Sequence, residues 1–286
     1  MTGGTTVALH DETGLTTAER ESGWILSCVR SATSDVSLQV EDLGDVHLPA
    51  ARTLACRIQS LERVGRDVMR IVLRLPPTST FPYLAGQYVD VIGTGGKRRS
   101  YSIANTATSD KRIELHVRQV DGGEMSQFWF NEAKLNALLR LHGPLGTFFL
   151  RDVADLDLVF LATGTGIAPV KAILESLESL TPGTTPRTTT VYWGGRTPAD
   201  LYWAPEENLI RRVRFVPVLS RAGTDWAGAR GHVQDVFAAS APDLTRTAVY
   251  ACGSDNMIHA AHALLVAAGL PERRFSSDAF VCSAAV

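Results

Sequence analysis

Two hydrophobic rhythms succeed one another along this 286-residue chain, and the break between them limits the fold more than any other feature. From Thr53 to about Leu150, short alternating runs at Val68–Leu75, Gln87–Val91, Tyr101–Ala104 and Ile113–Val120 are parted by Pro76-Pro77, Gly93–Gly96 and Gly122-Gly123. Two-residue periodicity punctuated by glycine and proline predicts a small antiparallel β-barrel. From Asp157 onward, apolar runs of strand length alternate with helical stretches. Leu158–Ala162 precedes a helix over Pro169–Leu180, Thr189–Trp193 a helix-prone stretch, Phe215–Leu219 a helix over Val233–Ala239, and Ala248–Cys252 a helix over Asn256–Ala268. That alternation predicts an α/β half with a parallel sheet covered on both faces. The expected domains are residues 51–152 and 153–286. Residues 1–50 precede them as a segment too small for a core of its own, with a short helix over Thr16–Ser22 and a strand-like alternation over Val36–Val40.

Twenty-eight basic residues against thirty acidic ones give a net charge of -2, and no basic stripe interleaved with aromatics runs along the chain. A phosphate backbone would find little to hold, so nucleic acid is not an expected partner. The polar start Met1–Asp11 lacks the basic-then-apolar order of a signal peptide, and no later apolar run reaches membrane-spanning length. A cytoplasmic protein is expected, with no membrane contact. Cys28, Cys56, Cys252 and Cys282 lie far apart, with no C-x-x-C pair and no histidine cluster at ligand spacing. That pattern argues against a zinc site or a disulfide framework.

Arg99-Ser100-Tyr101-Ser102 sets a cation, a ring and two hydroxyls side by side. A flavin needs a cation for its phosphate, an aromatic face for its isoalloxazine, and a hydroxyl near N5 where hydride arrives. A barrel strand with one surface arginine and one core tyrosine would carry the same letters. On a strand Arg99 and Tyr101 share a face, and Ser102 would be displayed by a turn. Gly122-Gly123-Glu124-Met125-Ser126 reads as a glycine turn opening on a serine-capped helix, whose free N–H groups suit a second phosphate. An ordinary loop and N-cap read the same way. Arg118 would add charge there or face water, and His116 would either pack within its strand or border the same surface.

Thr163-Gly164-Thr165-Gly166-Ile167-Ala168-Pro169 follows an apolar strand and opens a helix, the context a dinucleotide pyrophosphate turn requires. It departs from G-x-G-x-x-G at the last position, where proline presets the first helical turn. Cys252-Gly253-Ser254 ends another parallel strand, where open α/β sheets place their ligands; its thiol would sit against a nicotinamide there, unless it packs as an ordinary small apolar side chain. Arg196 and Ser220-Arg221 follow two further strands. They would grip an adenosine ribose or its 2′-phosphate, unless each is a solvated loop arginine.

In combination, Arg99–Ser102, Gly123–Ser126, Gly164–Pro169, and Cys252-Gly253 with Met257 resemble the motifs of the ferredoxin–NADP reductase superfamily over residues 53–286. Gly231-His232-Val233, Tyr192–Arg196 and Ser277-Asp278-Ala279-Phe280 look most like its CDP-6-deoxy-Δ3,4-glucoseen reductase type, also found as oxygenase reductases. The resemblance implies an enzyme carrying FAD rather than FMN, because the second phosphate loop is present. It implies hydride transfer from NADH or NADPH beside Tyr101, Ser102 and Cys252, with Phe280 giving way to the nicotinamide. Electrons would pass to a partner protein, whether dehydrase, oxygenase or cytochrome. Ser220-Arg221 stand where NADPH-selecting relatives bind phosphate, whereas the subgroup itself points to NADH.

Residues 13–43, around Gly23–Cys28, resemble the last third of a plant-type [2Fe–2S] ferredoxin domain, a remnant in which Cys28 matches the fourth ligand. The C-x₄-C-x₂-C loop is missing from the sequence and one thiolate cannot hold a cluster, so no cluster is expected in this chain and an external acceptor would collect the electrons. Two readings from another class share these residues: a non-catalytic flavin-binding subunit and an inactive fragment.

Overall fold

A computed structural model of the chain describes residues 1–12, 15, 17–38, 43 and 46–280, which fall into two compact units, Met1–His47 and Leu48–Val286. In the first unit β1 (Thr6–Ala8) pairs antiparallel with β2 (Arg30–Ala32), and α1 (Thr17–Glu21) lies between them in sequence. The Glu12 carboxylate accepts from Arg30 Nε at 2.8 Å, Arg30 Nη2 at 2.7 Å and the Leu26 N–H at 2.9 Å. Of the expected alternation over Val36–Val40, Ser37 bridges Gly3, and Gln39 and Val40 lie outside the described residues, as does Thr16 of the expected helix. Cys28 falls in a helical turn, Ser27–Val29, and its side chain is also outside the described residues.

In the second unit the described residues build two six-stranded sheets. The first joins β3 (Arg52–Arg63), β4 (Val68–Arg74), β5 (Tyr88–Ile92), β6 (Arg98–Ser102), β7 (Arg112–Arg118) and β8 (Leu138–Leu145) in the order β6-β5-β8-β3-β4-β7. Every neighbouring pair is antiparallel. A bridge between Ile103 and Leu115, with a bond from the Ala104 N–H to the Glu114 carbonyl at 2.8 Å, draws the edge strands β6 and β7 together into a near-barrel. Strand periodicity decides what each face carries. Along β7, Ile113, Leu115 and Val117 are buried in the barrel core with Ile58, Ile71 and Trp129, so Glu114, His116 and Arg118 project from the other face. A short helix, α2 (Glu124–Gln127), follows β7.

The second sheet joins β9 (Asp157–Thr163), β10 (Thr188–Gly195), β11 (Arg214–Leu219), β12 (Ala229–Arg230), β13 (Thr247–Gly253) and β14 (Phe275–Ala279). It is parallel throughout, in the order β12-β11-β10-β9-β13-β14. Helix α3 (Ile167–Ser176) covers one face, sharing a core with Leu158, Phe160, Ala162, Tyr250 and Cys252. The opposite parity, Val159, Leu161, Val249 and Ala251, packs with α5 (Val233–Ala239) and α6 (Asp255–Ala267). Helix α4 (Glu207–Ile210) precedes β11. Strand order reverses between β9 and β13, and a parallel sheet opens a ligand crevice at the carboxyl ends of its strands at such a switch point.

Three local expectations differ from the structure. The tetrad strand runs Arg98–Ser102 rather than Tyr101–Ala104, because Asp90 on β5 anchors its start through Arg98 Nε at 2.7 Å and Ser100 Oγ at 2.6 Å. Helix α3 begins at Ile167, so Pro169 is its third residue, and the expected last turn to Leu180 is a tighter turn over Leu177–Ser179. Strands β3 and β8 carry no clean alternation in the sequence: a bulge between Ile58 and Ser60 breaks the two-residue pattern of β3, and Gly143-Pro144 interrupts that of β8.

Candidate functional site

A groove of about 1300 Å³ lies between the near-barrel and the carboxyl edge of the parallel sheet. Arg99, Ser100, Tyr101 and Ser102 of β6 form part of one wall. Tyr101 leans on the barrel core and its hydroxyl accepts from Trp129 Nε1 at 3.0 Å. Burial pushes that phenol up to about 12, against smaller pulls from the Trp129 bond and Arg99, so it stays protonated. Ser102 closes the strand rather than being displayed by a turn, and its hydroxyl donates across the groove to Asp278 Oδ2 at 3.4 Å. The Arg99 guanidinium donates to the Arg98 carbonyl at 3.3 Å and remains open toward the groove.

The Gly122-Gly123 turn and Ser126 differ from expectation in one respect. Gly123 is the N-cap of α2, with no side-chain cap bond, and Ser126 lies inside the helix. Its Oγ instead accepts the Val120 N–H at 2.7 Å, which folds the loop back on itself and sets Gly123 and Ser126 on the groove wall. Gly122, at φ +71, shapes the turn without lining the groove. His116 and Arg118 reach the groove from β7. Arg118 Nε stands 3.3 Å from Asp67 Oδ2, while Nη2 is buried with no hydrogen-bond partner among the described residues. The guanidinium lies against Gly164, where a Cβ would meet Nη1 at 2.9 Å.

Thr163, Gly164 and Thr165, at the end of β9, form the floor. Thr163 Oγ1 accepts the Ser254 N–H at 2.9 Å, and Gly253, at φ +126, approaches so closely that a Cβ would fall 2.4 Å from that oxygen. Gly166 and Pro169 do not line the groove: a Cβ on Gly166 would stand 2.2 Å from the Cys252 carbonyl, and Pro169 is buried. Gly166 thereby seats the head of α3 on β13. The expectation for Cys252 is corrected in the same way. Its side chain has the parity of Tyr250, so it enters the core beneath α3 with no exposure, and burial raises its thiol well above the ordinary range. Gly253, not Cys252, meets the groove.

Arg196, Ser220 and Arg221 line the far end. Asp200 Oδ2 accepts the Arg196 and Thr197 N–H groups at 2.8 Å each, fixing the loop that carries Arg196, and the Arg221 N–H donates to the Arg196 carbonyl at 2.9 Å. Phe280 closes the groove beside Gly253, to whose carbonyl its N–H donates at 2.8 Å. Asp278, read from the sequence only as part of Ser277–Phe280, and Gln234, which the sequence does not single out, also line the groove. Burial pushes the Asp278 carboxyl up to about 6, outweighing the Ser102 bond. Gln234, buried on α5, leaves Oε1 without a hydrogen-bond partner among the described residues. Gln234 carries no sequence signal beyond its place near a helix start, whereas Asp278 lies in the Ser277–Phe280 stretch that carries part of the family resemblance.

These features fit two phosphate-linked dinucleotides: glycine backbones that exclude a Cβ, guanidinium groups facing the groove, and buried orphaned donor and acceptor atoms on its walls. They define a protein that binds two nucleotide cofactors between a near-barrel and a parallel α/β sheet. A family model for an oxidoreductase FAD-binding domain matches residues 55–150, and one for an oxidoreductase NAD-binding domain matches residues 160–263. The chain is 43% identical over 279 residues to the CDP-6-deoxy-L-threo-D-glycero-4-hexulose-3-dehydrase reductase of Yersinia pseudotuberculosis, covering 96% of this chain and 82% of that protein. It is 34% identical to the reductase subunit of an aromatic O-demethylase of Amycolatopsis, over 87% of this chain and 75% of that one. The solved structure of Amycolatopsis cytochrome P450 reductase GcoB superposes with a TM-score of 0.79 at 31% identity, covering 98% of this chain and 85% of that one. The chain belongs to the ferredoxin–NADP reductase superfamily, and it is an electron-transferring enzyme that uses FAD with NADH or NADPH. Among the described residues, no helix is long and apolar enough to cross a membrane.

Proposed function

We propose that this chain is the cytoplasmic reductase partner of a dehydrase acting on a CDP-6-deoxy-hexulose, with NADH as its electron source. The observation that carries the reading is the 43% identity to the Yersinia reductase, sustained over 96% of the chain. FAD, when bound, accepts hydride and releases the electrons to the partner. Residues 51–152 serve the flavin, residues 153–286 the nicotinamide dinucleotide, and residues 1–50 precede both. Arg99, the Gly122-Gly123 turn and Ser126 hold the flavin phosphates, and Tyr101 offers its ring to the isoalloxazine. Ser102 and Asp278 border the reacting atoms. The backbone of Gly164 and Thr165 receives the nicotinamide pyrophosphate with Arg118, while Arg196, Ser220 and Arg221 take the adenosine end and Phe280 guards the entrance beside Gly253.

The test is to load the purified chain with FAD and follow NADH oxidation, first with a small dye and then with a CDP-sugar dehydrase as acceptor. Dehydrase-dependent turnover, with kcat/KM higher for NADH than for NADPH, is expected. Electron delivery to an oxygenase component but not to the dehydrase would move the assignment to the oxygenase reductases. Failure to bind flavin or to oxidise either nicotinamide would overturn it.

A further inference from the structure

A polar network, buried at His116 and half-exposed at Glu175, joins the two halves behind the groove. Lys171, on α3 just after the Gly164–Gly166 turn, donates from Nζ to the Ala104 carbonyl at 2.9 Å, two residues beyond Ser102. The same Nζ lies 2.7 Å from Glu175 Oε1 and 3.2 Å from Glu114 Oε1. Glu175 Oε2 in turn accepts the Thr106 N–H at 3.0 Å. One face of α3 therefore grips the segment Ala104–Thr106, which continues directly from the tetrad strand. Glu114 Oε1 also lies 2.9 Å from His116 Nε2, and His116 Nδ1 lies 3.0 Å from the hydroxyl of Tyr202, a residue of the α/β half.

Burial works against the Glu114 charge, but the bonds from His116 and Lys171 outweigh it and hold the carboxyl down at about 2. Burial is also the largest influence on His116 and lowers it. A neutral imidazole beside an ionised carboxylate must donate from Nε2, which leaves Nδ1 to accept the Tyr202 hydroxyl proton.

We propose that Lys171, with Glu175 and Glu114, is a positioning residue that fixes the nicotinamide turn at the head of α3 relative to the flavin tetrad, and so sets the alignment for hydride transfer. The inference rests on the reading that the groove takes both cofactors. Lys171 does not line the groove, so its removal takes away no cofactor contact. Its effect should fall on the rate of transfer rather than on binding, since a misplacement of about 1 Å can cost on the order of 100-fold.

The test compares Lys171→Met, Lys171→Arg and Glu175→Ala with the parent chain, each loaded with FAD. Expected for Lys171→Met are full flavin content, a KM for NADH within about threefold, hydride transfer in stopped flow slower by about 10- to 100-fold, and loss of the charge-transfer absorbance of the nicotinamide complex. Lys171→Arg should recover most of the rate. Glu175→Ala, which alters only a half-exposed side chain, should speed hydrogen exchange at the Thr106 amide in flavin-loaded and flavin-free protein alike, and should slow transfer. Parent-like transfer in Lys171→Met overturns the proposal, as does faster exchange at Thr106 in Glu175→Ala with transfer unchanged. If Lys171→Met does not fold, Glu175→Ala decides by the same two readouts. A parent chain that neither NADH nor NADPH reduces would instead sink the functional reading, while the exchange arm would still report on the grip.

Discussion

Replacing Asp278 by Asn should stabilise the flavin-free protein at neutral pH and leave it nearly unchanged near pH 4. The carboxyl lies at the end of β14 with the Ser102 hydroxyl 3.4 Å from Oδ2, and burial pushes it from 3.8 to about 6. In the unfolded chain it loses its proton near 3.9. Between these values the folded state alone holds the proton, so stability falls as pH rises, by about 1.36 kcal/mol per pH unit, and the loss is complete above about pH 6. The full window corresponds to about 3 kcal/mol, and residual solvent contact at this half-buried residue reduces it to about 1–2 kcal/mol. Asparagine has the same shape and no proton to lose. Urea unfolding followed by tryptophan fluorescence at pH 4 and pH 7.5 reads the difference directly, and for a unit of this size the same free energy appears as a rise of about 2–8 °C in Tm. A variant less stable than the parent at both pH values, or a gap that does not widen from pH 4 to pH 7.5, would refute the argument.

Gly253→Ala would place a Cβ 2.4 Å from Thr163 Oγ1 at a φ of +126, so denaturation should show a loss of at least about 1–3 kcal/mol; a change below about 0.5 kcal/mol would contradict the close approach. Gln234→Leu removes the orphaned Oε1 from a buried site: stability should hold or rise by about 1 kcal/mol while the KM for NADH increases, and an unchanged KM would show that the oxygen meets no cofactor. Cys252 is buried with its thiol raised, and burial pushes Cys56 up to about 12, so native alkylation at pH 8 should leave both unmodified. Labelling of Cys252 within minutes, read by mass spectrometry, would place its thiol on the groove after all.

Much of the fold could be read from periodicity because each half buries a distinct pattern. The barrel runs at Val68–Leu75 and Ile113–Val120 and the four parallel strands Leu158–Ala162, Thr189–Trp193, Phe215–Leu219 and Ala248–Cys252 all coincide with observed strands. Illegible strands failed for stated physical reasons. The bulge in β3 shifts side-chain parity midway, and β14 reads Phe-Ser-Ser-Asp-Ala, polar because it is an edge strand that borders the groove. Glycines announced themselves well, since Gly164 and Gly253 stand where positive φ and close packing leave no room for a Cβ.

Side-chain direction was the harder quantity, and Cys252 against Asp278 shows why. The two are register partners on adjacent parallel strands, so their side chains take the same face of the sheet. Cys252 lies beside the central strand β9 and under the Gly166 head of α3, which seals it into the core. Asp278 lies on the edge strand, past the reach of that helix, and faces Ser102 of the barrel. The sequence shows both residues near strand ends but not which of them a helix will cover, because that depends on strand order, which periodicity does not encode. The same holds for β7. Its alternation separates Glu114, His116 and Arg118 from the barrel core, yet it is the packing of Lys171 on α3 and of Tyr202 that turns the first two into a junction, while His116 and Arg118 both border the groove. Chemistry at this site thus follows from which neighbour lies over each exposed face, and substitutions at Lys171 or Gly166 should disturb it without touching a cofactor.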